Sequence, residues 1–316
     1  MPEARETLSK QIPRRALGRT GVEVCALGLG GYHLGLVKSE REAVRIVQEA
    51  VDAGITFLDN AWEYHDGRSE TIMGRALSGG RRARAFLMTK VCTHGRGRRE
   101  ALRQLEQSLR RLRTDHLDLW QVHEVVYEND PERHAAAGGV LEALDEAKRQ
   151  GKVRFVGFTG HKDPAIHRKM LRLGFPFDTC QLPLNCLDGT FRSFEQEVLP
   201  ELVRRGIAPL GMKSMGGEGE AVRKGVVSAE EALHYAMSLP VATTITGIDS
   251  LKVLRQNLRI ARGFRPMTAL EMEELRRRCA EEAGDGRYEL YKVSMKYEGA
   301  VGRKQHGFPT DEEMSA

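Results

Sequence analysis

From residue 24 to residue 261 the chain alternates between two hydrophobic patterns. Short, nearly continuous apolar runs occupy residues 24–31, 56–61, 85–91, 117–123, 153–159, 178–184, 207–213 and 243–248. Runs of this length without strict alternation read as strands covered on both faces. Between them lie longer stretches with apolar residues three and four apart, over 39–54, 69–77, 99–112, 140–150, 164–173, 194–205, 229–238 and 251–261. In the first of these, Ala43, Val44, Ile46, Val47, Ala50 and Val51 share one face, with Ser39 as cap and Gly54 as stop. Gly151, Gly174 and Gly206 close three others. Eight strand–helix units predict an α/β fold, a (β/α)8 TIM barrel. Residues 14–24, punctuated by Gly18 and Gly21, predict an N-terminal β-hairpin. An amphipathic helix over 269–283 and a polar tail follow the barrel. The expectation is one domain over 1–316, with hairpin and barrel over 14–262 and residues 263–316 laid over the barrel. Tyr288, Tyr291, Tyr297 and Phe308 of the tail are placed to dock on its mouth.

Composition narrows the function classes. With 41% hydrophobic and 29% charged residues the chain reads as an ordinary globular protein, and no window approaches a membrane span. A formal net charge of +5 over this length calls for no nucleic-acid partner. The basic run Arg81–Arg84 precedes a strand and reads as a solvated face at the barrel bottom. Arg96, Arg98 and Arg99 follow that strand and sit where an anionic substrate group could meet them. The five cysteines form no C-x-x-C pair, which argues against a disulfide framework and a tetrahedral zinc site, so no metal is expected. Residues 1–15 carry no apolar signal segment, and a reducing cytoplasm is the expected compartment.

In such a barrel the strand C-terminal ends and following loops share one face, where the chemistry sits. The second strand ends at Asp59, with Tyr64 five residues on; the third ends near Lys90 and the fourth at His123. Singly, each has an ordinary structural reading: a cap, a solvent-facing lysine, a satisfied core histidine, loop packing. Together they make chemical sense. A lysine ammonium is expected to stabilise the phenolate and lower the pKa of a neighbouring tyrosine, the aspartate to hold and balance the lysine, and the histidine to orient a carbonyl oxygen and help the proton move. The set suits protonation of a carbonyl oxygen while its carbon receives a hydride.

Residues 27–32 (Leu-Gly-Leu-Gly-Gly-Tyr), 57–64 (Phe-Leu-Asp-Asn-Ala-Trp-Glu-Tyr), 88–90 (Met-Thr-Lys) and 121–123 (Gln-Val-His) resemble the aldo-keto reductase family in order and spacing. The resemblance covers roughly 14–262. It implies reduction of an aldehyde or ketone by NAD(P)H, with Asp59, Tyr64, Lys90 and His123 as catalytic tetrad and Tyr64 as general acid. It also implies a cofactor site bordered by Gly31, Tyr32 and Asp59. There Thr159 replaces the family's carboxamide-binding serine, Gly160 its asparagine, and Gln181 matches its glutamine. Met212, between Gly211 and Lys213, lies where an aromatic ring often stacks on the nicotinamide. The loop 216–219 reads either as a pyrophosphate neighbour or as ordinary surface. Asn257 aligns with the adenine contact and Gln256 with a common glutamate. Gly247 and Val253 fall where a lysine and an arginine hold the 2′-phosphate, leaving Lys252 and Arg255 as substitutes. NADPH is the first expectation, with NADH as the alternative. Substrate contacts are expected from Tyr32, His33, Trp62, His65 and Glu124, a mixed pocket suited to a hydroxylated carbonyl. The same fold also serves as a cofactor-binding regulatory subunit with negligible turnover, as in potassium-channel β subunits, and the tetrad does not separate the two. Gly28-Leu-Gly-Gly-Tyr-His33 lacks the third glycine of a dinucleotide fingerprint, and the Tyr288/Lys292 spacing is coincidental.

Overall fold

The computed structural model describes residues 11–92, 97–294, 297–299, 309 and 313. Strands β1 (Arg14–Ala16) and β2 (Glu23–Cys25) pair antiparallel as the hairpin. Eight parallel strands then close a barrel. They are β3 (Leu27–Gly30), β4 (Phe57–Asp59), β5 (Phe86–Val91), β6 (Leu117–Val122), β7 (Val153–Thr159), β8 (Thr179–Pro183), β9 (Ala208–Met212) and β10 (Thr243–Gly247). Each pairs with its neighbours in chain order, and β10 returns to β3.

Most predicted elements appear close to their expected bounds, and the departures have local causes. The apolar run over 24–31 is two strands, broken where the Ala26 N–H turns to the Pro13 carbonyl, and Gly31 opens a short helix, Gly31–Leu36. The stretch 194–205 divides into helices Phe194–Glu197 and Leu199–Arg205, because Pro200 cannot continue the first ladder. Short helices at Asp130–Ala135 and Glu220–Arg223, inside loops, had no periodic signature. Helix 40–52 is capped as expected, with Ser39 Oγ accepting the Glu42 N–H. Ser228 and Thr268 form capping boxes with Glu231 and Glu271.

The hairpin closes the barrel bottom. The Arg15 guanidinium donates to the carbonyls of Met237 and Val241, ahead of β10. Arg81 and Arg84 bind Asp52, and Arg82 binds the His116 carbonyl and Asp118, so this basic run ties neighbouring loops together.

The C-terminal segment closes over the other end. The Lys292 ammonium is fully buried between Asp188 (2.7 Å) and Glu289 (2.8 Å), and the Tyr291 hydroxyl donates to Glu289 beside Asn185. Lys162 pairs with Glu298, and the Gly299 N–H donates to Glu124. The Gly216 and Gly217 loop is thereby covered: the Gly217 N–H donates to the Tyr288 carbonyl, and the Tyr297 hydroxyl lies over Gly217. Tyr288 and Tyr291 are buried and Tyr297 packs on Gly217; Phe308 lies outside the described residues. No helix among the described residues is long and apolar enough to cross a membrane.

Candidate active site

Strands β4, β5 and β6 deliver Asp59, Lys90 and His123 to one rim. Lys90 is 1% exposed, and its Nζ donates to Asp59 Oδ1 at 2.6 Å and to the Asn60 carbonyl at 2.8 Å. The charge of the lysine is thus balanced within the barrel wall, as a buried ammonium requires.

The loop that carries Tyr64 is held at several points. The Trp62 N–H donates to the Lys90 carbonyl, and Arg111 donates to the Trp62 carbonyl while pairing with the fully buried Glu70. Gly67, at φ 83°, is required where the chain turns under Arg111: a Cβ there would lie 2.2 Å from the guanidinium carbon. His65 and Asp66 also have positive φ, so the backbone beside Tyr64 is strained, as active-site loops often are.

Tyr64 is partly exposed at the mouth. Its ring centroid lies 5.1 Å from Lys90 Nζ and 5.6 Å from the His123 ring, which meets it edge-on. The expected lowering of its pKa by Lys90 does not occur. Burial pushes the hydroxyl well above its ordinary value, and Asp59, Glu63 and Glu124 add to the rise. The lysine charge is neutralised by Asp59, while three carboxylates oppose a phenolate.

Glu63 is a residue that the sequence reading missed. Its Oε1 meets His123 Nδ1 directly, and both side chains are more than nine-tenths buried. An acid immediately before the tyrosine was the available signal, but nothing local tied it to a histidine sixty positions away. Beside this pair, Glu63, Cys92 and Glu124 bring ligand-type atoms within 4.8 Å of one another, although the sequence pointed to no metal. Burial, then Glu63 and Glu124, push the Cys92 thiol well up, so it stays protonated.

On the opposite wall, Gln181 Nε2 lies 3.4 Å from Asp59 Oδ1 and 3.7 Å from Met212 Sδ, and Thr159 Oγ1 lies 4.0 Å from the same sulfur. Gln181 Oε1 is buried without a partner, as is Asn257 Nδ2 at the far end of the expected cofactor groove. Two orphaned polar atoms, on residues expected from the sequence to meet a carboxamide and an adenine, are compatible with a nicotinamide dinucleotide. Gly160 serves packing: a Cβ there would lie 2.2 Å from the Val125 carbonyl oxygen. Lys213, at φ 56°, sets its ammonium 5.0 and 4.9 Å from the ring centroids of Tyr291 and Tyr297. Burial lowers its pKa to about 8, Glu124 opposing and Lys90 reinforcing the shift. His161, beside Tyr291, is lowered by burial to about 3 and stays neutral.

Other expected contacts are redistributed. Trp62 is buried, donating from Nε1 to Gln107 at 2.8 Å beneath the Arg111 guanidinium, so it faces the outer helix Arg98–Leu112 and not a pocket. Tyr32 is half exposed, and its carbonyl meets His65 Nε2 at 2.8 Å. His33 packs on Gly247, where a Cβ would lie 2.4 Å from its ring, and burial lowers its pKa. Gly31 follows the end of β3, Gly211 lies one residue before the end of β9, and Gln256 is partly buried. Arg255 is bound by Glu49 at 2.8 Å on the outer face, while Lys252 is exposed near the helix start at Leu251. Arg98 pairs with Glu146 away from the mouth and Arg99 is exposed; Arg96 lies outside the described residues.

Comparison with known proteins fits this geometry. The profile of the Aldo/keto reductase family matches residues 26–224. The uncharacterized oxidoreductase YrpG of Bacillus subtilis (strain 168) is 32% identical over 243 residues, 68% of this chain and 72% of that protein. L-galactose dehydrogenase of Arabidopsis thaliana is 31% identical over 284 residues, 78% of this chain and 88% of that one. The holo form of aldo-keto reductase AKR11C1 from Bacillus halodurans superposes with a TM-score of 0.70 at 25% identity, covering 85% of this chain and 96% of that one. The chain belongs to the aldo/keto reductase family, oxidoreductases that use nicotinamide cofactors.

Proposed function

We propose that this protein reduces an aldehyde or ketone to an alcohol with NADPH, NADH being the alternative cofactor, and that Tyr64 gives the proton. The observation that carries the reading is the packing of the Tyr64 ring beside the Lys90 ammonium and the His123 imidazole on one rim. A bound nicotinamide supplies the hydride. Thr159 and Gln181 would hold its carboxamide, Met212 would pack on the ring, and Asn257 would meet the adenine, with Lys252 nearest the 2′-phosphate. The raised pKa of Tyr64 keeps its hydroxyl protonated through neutrality. An alkoxide is a stronger base than a phenolate, so the hydroxyl still donates once the carbonyl carbon is reduced. The Asp59–Lys90 pair keeps a positive charge beside the ring without leaving it unbalanced.

The rim offers both aromatic and polar edges through Tyr32, His33 and His65, with Glu124 buried beneath the Gly299 N–H, which supports a hydroxylated carbonyl as substrate class. The buried free cysteines support a cytoplasmic protein. The test is a panel of aldehydes, ketones and sugars with NADPH, on wild type and Tyr64→Phe. Turnover is expected to fall about 10²- to 10⁴-fold in the variant with cofactor affinity unchanged. Turnover that survives refutes Tyr64 as the acid. Tight cofactor binding with no turnover on any carbonyl refutes the reductase reading in favour of a cofactor-binding regulatory subunit.

A further inference from the structure

Glu63 is the most conspicuous group that the tetrad leaves unused. Its carboxylate is buried at the rim, where an ion is expensive unless something answers it. Among the described residues its one hydrogen-bond partner is His123: Oε1 meets Nδ1, and Oε2 has no partner. The backbone on both sides fixes this meeting. The His123 N–H donates to the Val91 carbonyl at 2.9 Å, and on the other side the Asp66 N–H donates to the Glu63 carbonyl at 3.1 Å and the Tyr64 N–H to Ala61 at 3.2 Å. Glu63 and Tyr64 are chain neighbours, so the segment that aims the tyrosine also aims the carboxylate.

A carboxylate oxygen accepts and does not donate. Bonded to one, an imidazole nitrogen must carry the hydrogen, and the tautomer is then set by the bond. We propose that Glu63 is a positioning residue that holds His123 with its hydrogen on Nδ1 and leaves Nε2 bare at the mouth, beside the Tyr64 ring. In that form neutral His123 is an acceptor at Nε2. It can take one proton there and return it, the Nδ1–H bond to Glu63 staying intact throughout. A neutral His123 in this state does not donate to a carbonyl oxygen, which alters the orienting role expected for it. The neighbouring Cys92, held as a thiol, adds no negative charge to compete with Glu63 for the imidazole. The catalytic consequence rests on the reductase reading; the tautomer does not.

The experiment is therefore spectroscopic first. Full-length protein labelled with ¹⁵N-histidine is examined by long-range ¹H–¹⁵N correlation at a pH where the ring is neutral, with His123→Asn to assign its signals. Wild type is expected to show a protonated Nδ1 and a bare Nε2 at His123, and Glu63→Gln to lose that bias. An Nε2–H tautomer in wild type overturns the proposal, as does an unchanged tautomer in Glu63→Gln. The wild-type spectrum decides even if the variant fails to fold. In turnover assays Glu63→Gln is expected to lose about 10- to 100-fold in kcat with KM little changed, and Glu63→Asp to recover part of it. A loss confined to KM overturns the positioning role. If wild type reduces no carbonyl, the reductase reading fails while the tautomer result stands.

Discussion

Asp59→Asn isolates the ion pair at the centre of the site. Asparagine keeps the shape and the oxygen that faces Lys90 but removes the charge. The Lys90 ammonium, 1% exposed, would then have only the Asn60 carbonyl at 2.8 Å and an amide oxygen as partners. Removing one member of a buried pair costs about 3–5 kcal/mol, because the other charge stays buried and uncompensated. Unfolding entropy near 2.1 cal/mol/K per residue gives about 0.7 kcal/mol/K for a chain of this length, so Tm should fall by about 5–8 °C. Urea unfolding at pH 7 reads the free energy and calorimetry the Tm. Both single variants, Asp59→Asn and Lys90→Met, should lose activity, so activity alone does not test the pairing. The double variant Asp59→Asn/Lys90→Met does: with both charges gone it should be less destabilised than the sum of the singles by about 2 kcal/mol or more. A single-variant loss below about 1 kcal/mol, or strict additivity in the double, would refute the claim that the two residues act as one buried unit.

Four further outcomes follow from other charged side chains. Lys213 has a folded-state pKa of about 8, below its unfolded value, so the unfolded chain binds more protons between about pH 8 and 10.5. Its burial therefore costs stability below pH 8, and that cost is relieved as pH rises; Lys213→Met should be more stable than wild type at pH 7, by up to about 3 kcal/mol, and lose this advantage by pH 10. An equal difference at both pH values in urea unfolding sinks the argument. Lys292→Met would leave Asp188 and Glu289 buried without their cation, and amide exchange over Leu290–Val293 should accelerate at least about tenfold; unchanged protection would show that the triad does not hold the C-terminal segment. In fluorescence titrations Arg255→Ala should leave NADPH affinity within about twofold, since Glu49 already binds that guanidinium at the exposed outer face. Lys252→Ala should weaken NADPH but not NADH, and equal loss for both cofactors would remove Lys252 from the phosphate contact.

The barrel was legible because its determinants are local. Each apolar run, helical face and glycine stop lies within a dozen residues, and strand ends in a closed parallel barrel all point one way, so Asp59, Lys90 and His123 were brought to one rim by topology alone. What the chain could not disclose by itself depends on partners far away in sequence. Whether Trp62 faced a pocket or the outer helix was decided by Gln107 and Arg111. Whether Arg255 was free depended on Glu49, and whether Lys213 met water depended on Tyr291 and Tyr297 from the opposite end of the chain. The acidity of Tyr64 moved opposite to expectation because electrostatics sums over every charge and all the buried surface nearby, and the nearest cation was already balanced. Glu63 shows the limit most directly. Its position beside Tyr64 is a fact of sequence, but its bond to His123 exists only because the loop after β4 and the end of β6 are both tied to the end of β5, the Trp62 N–H donating to the Lys90 carbonyl and the His123 N–H to the Val91 carbonyl.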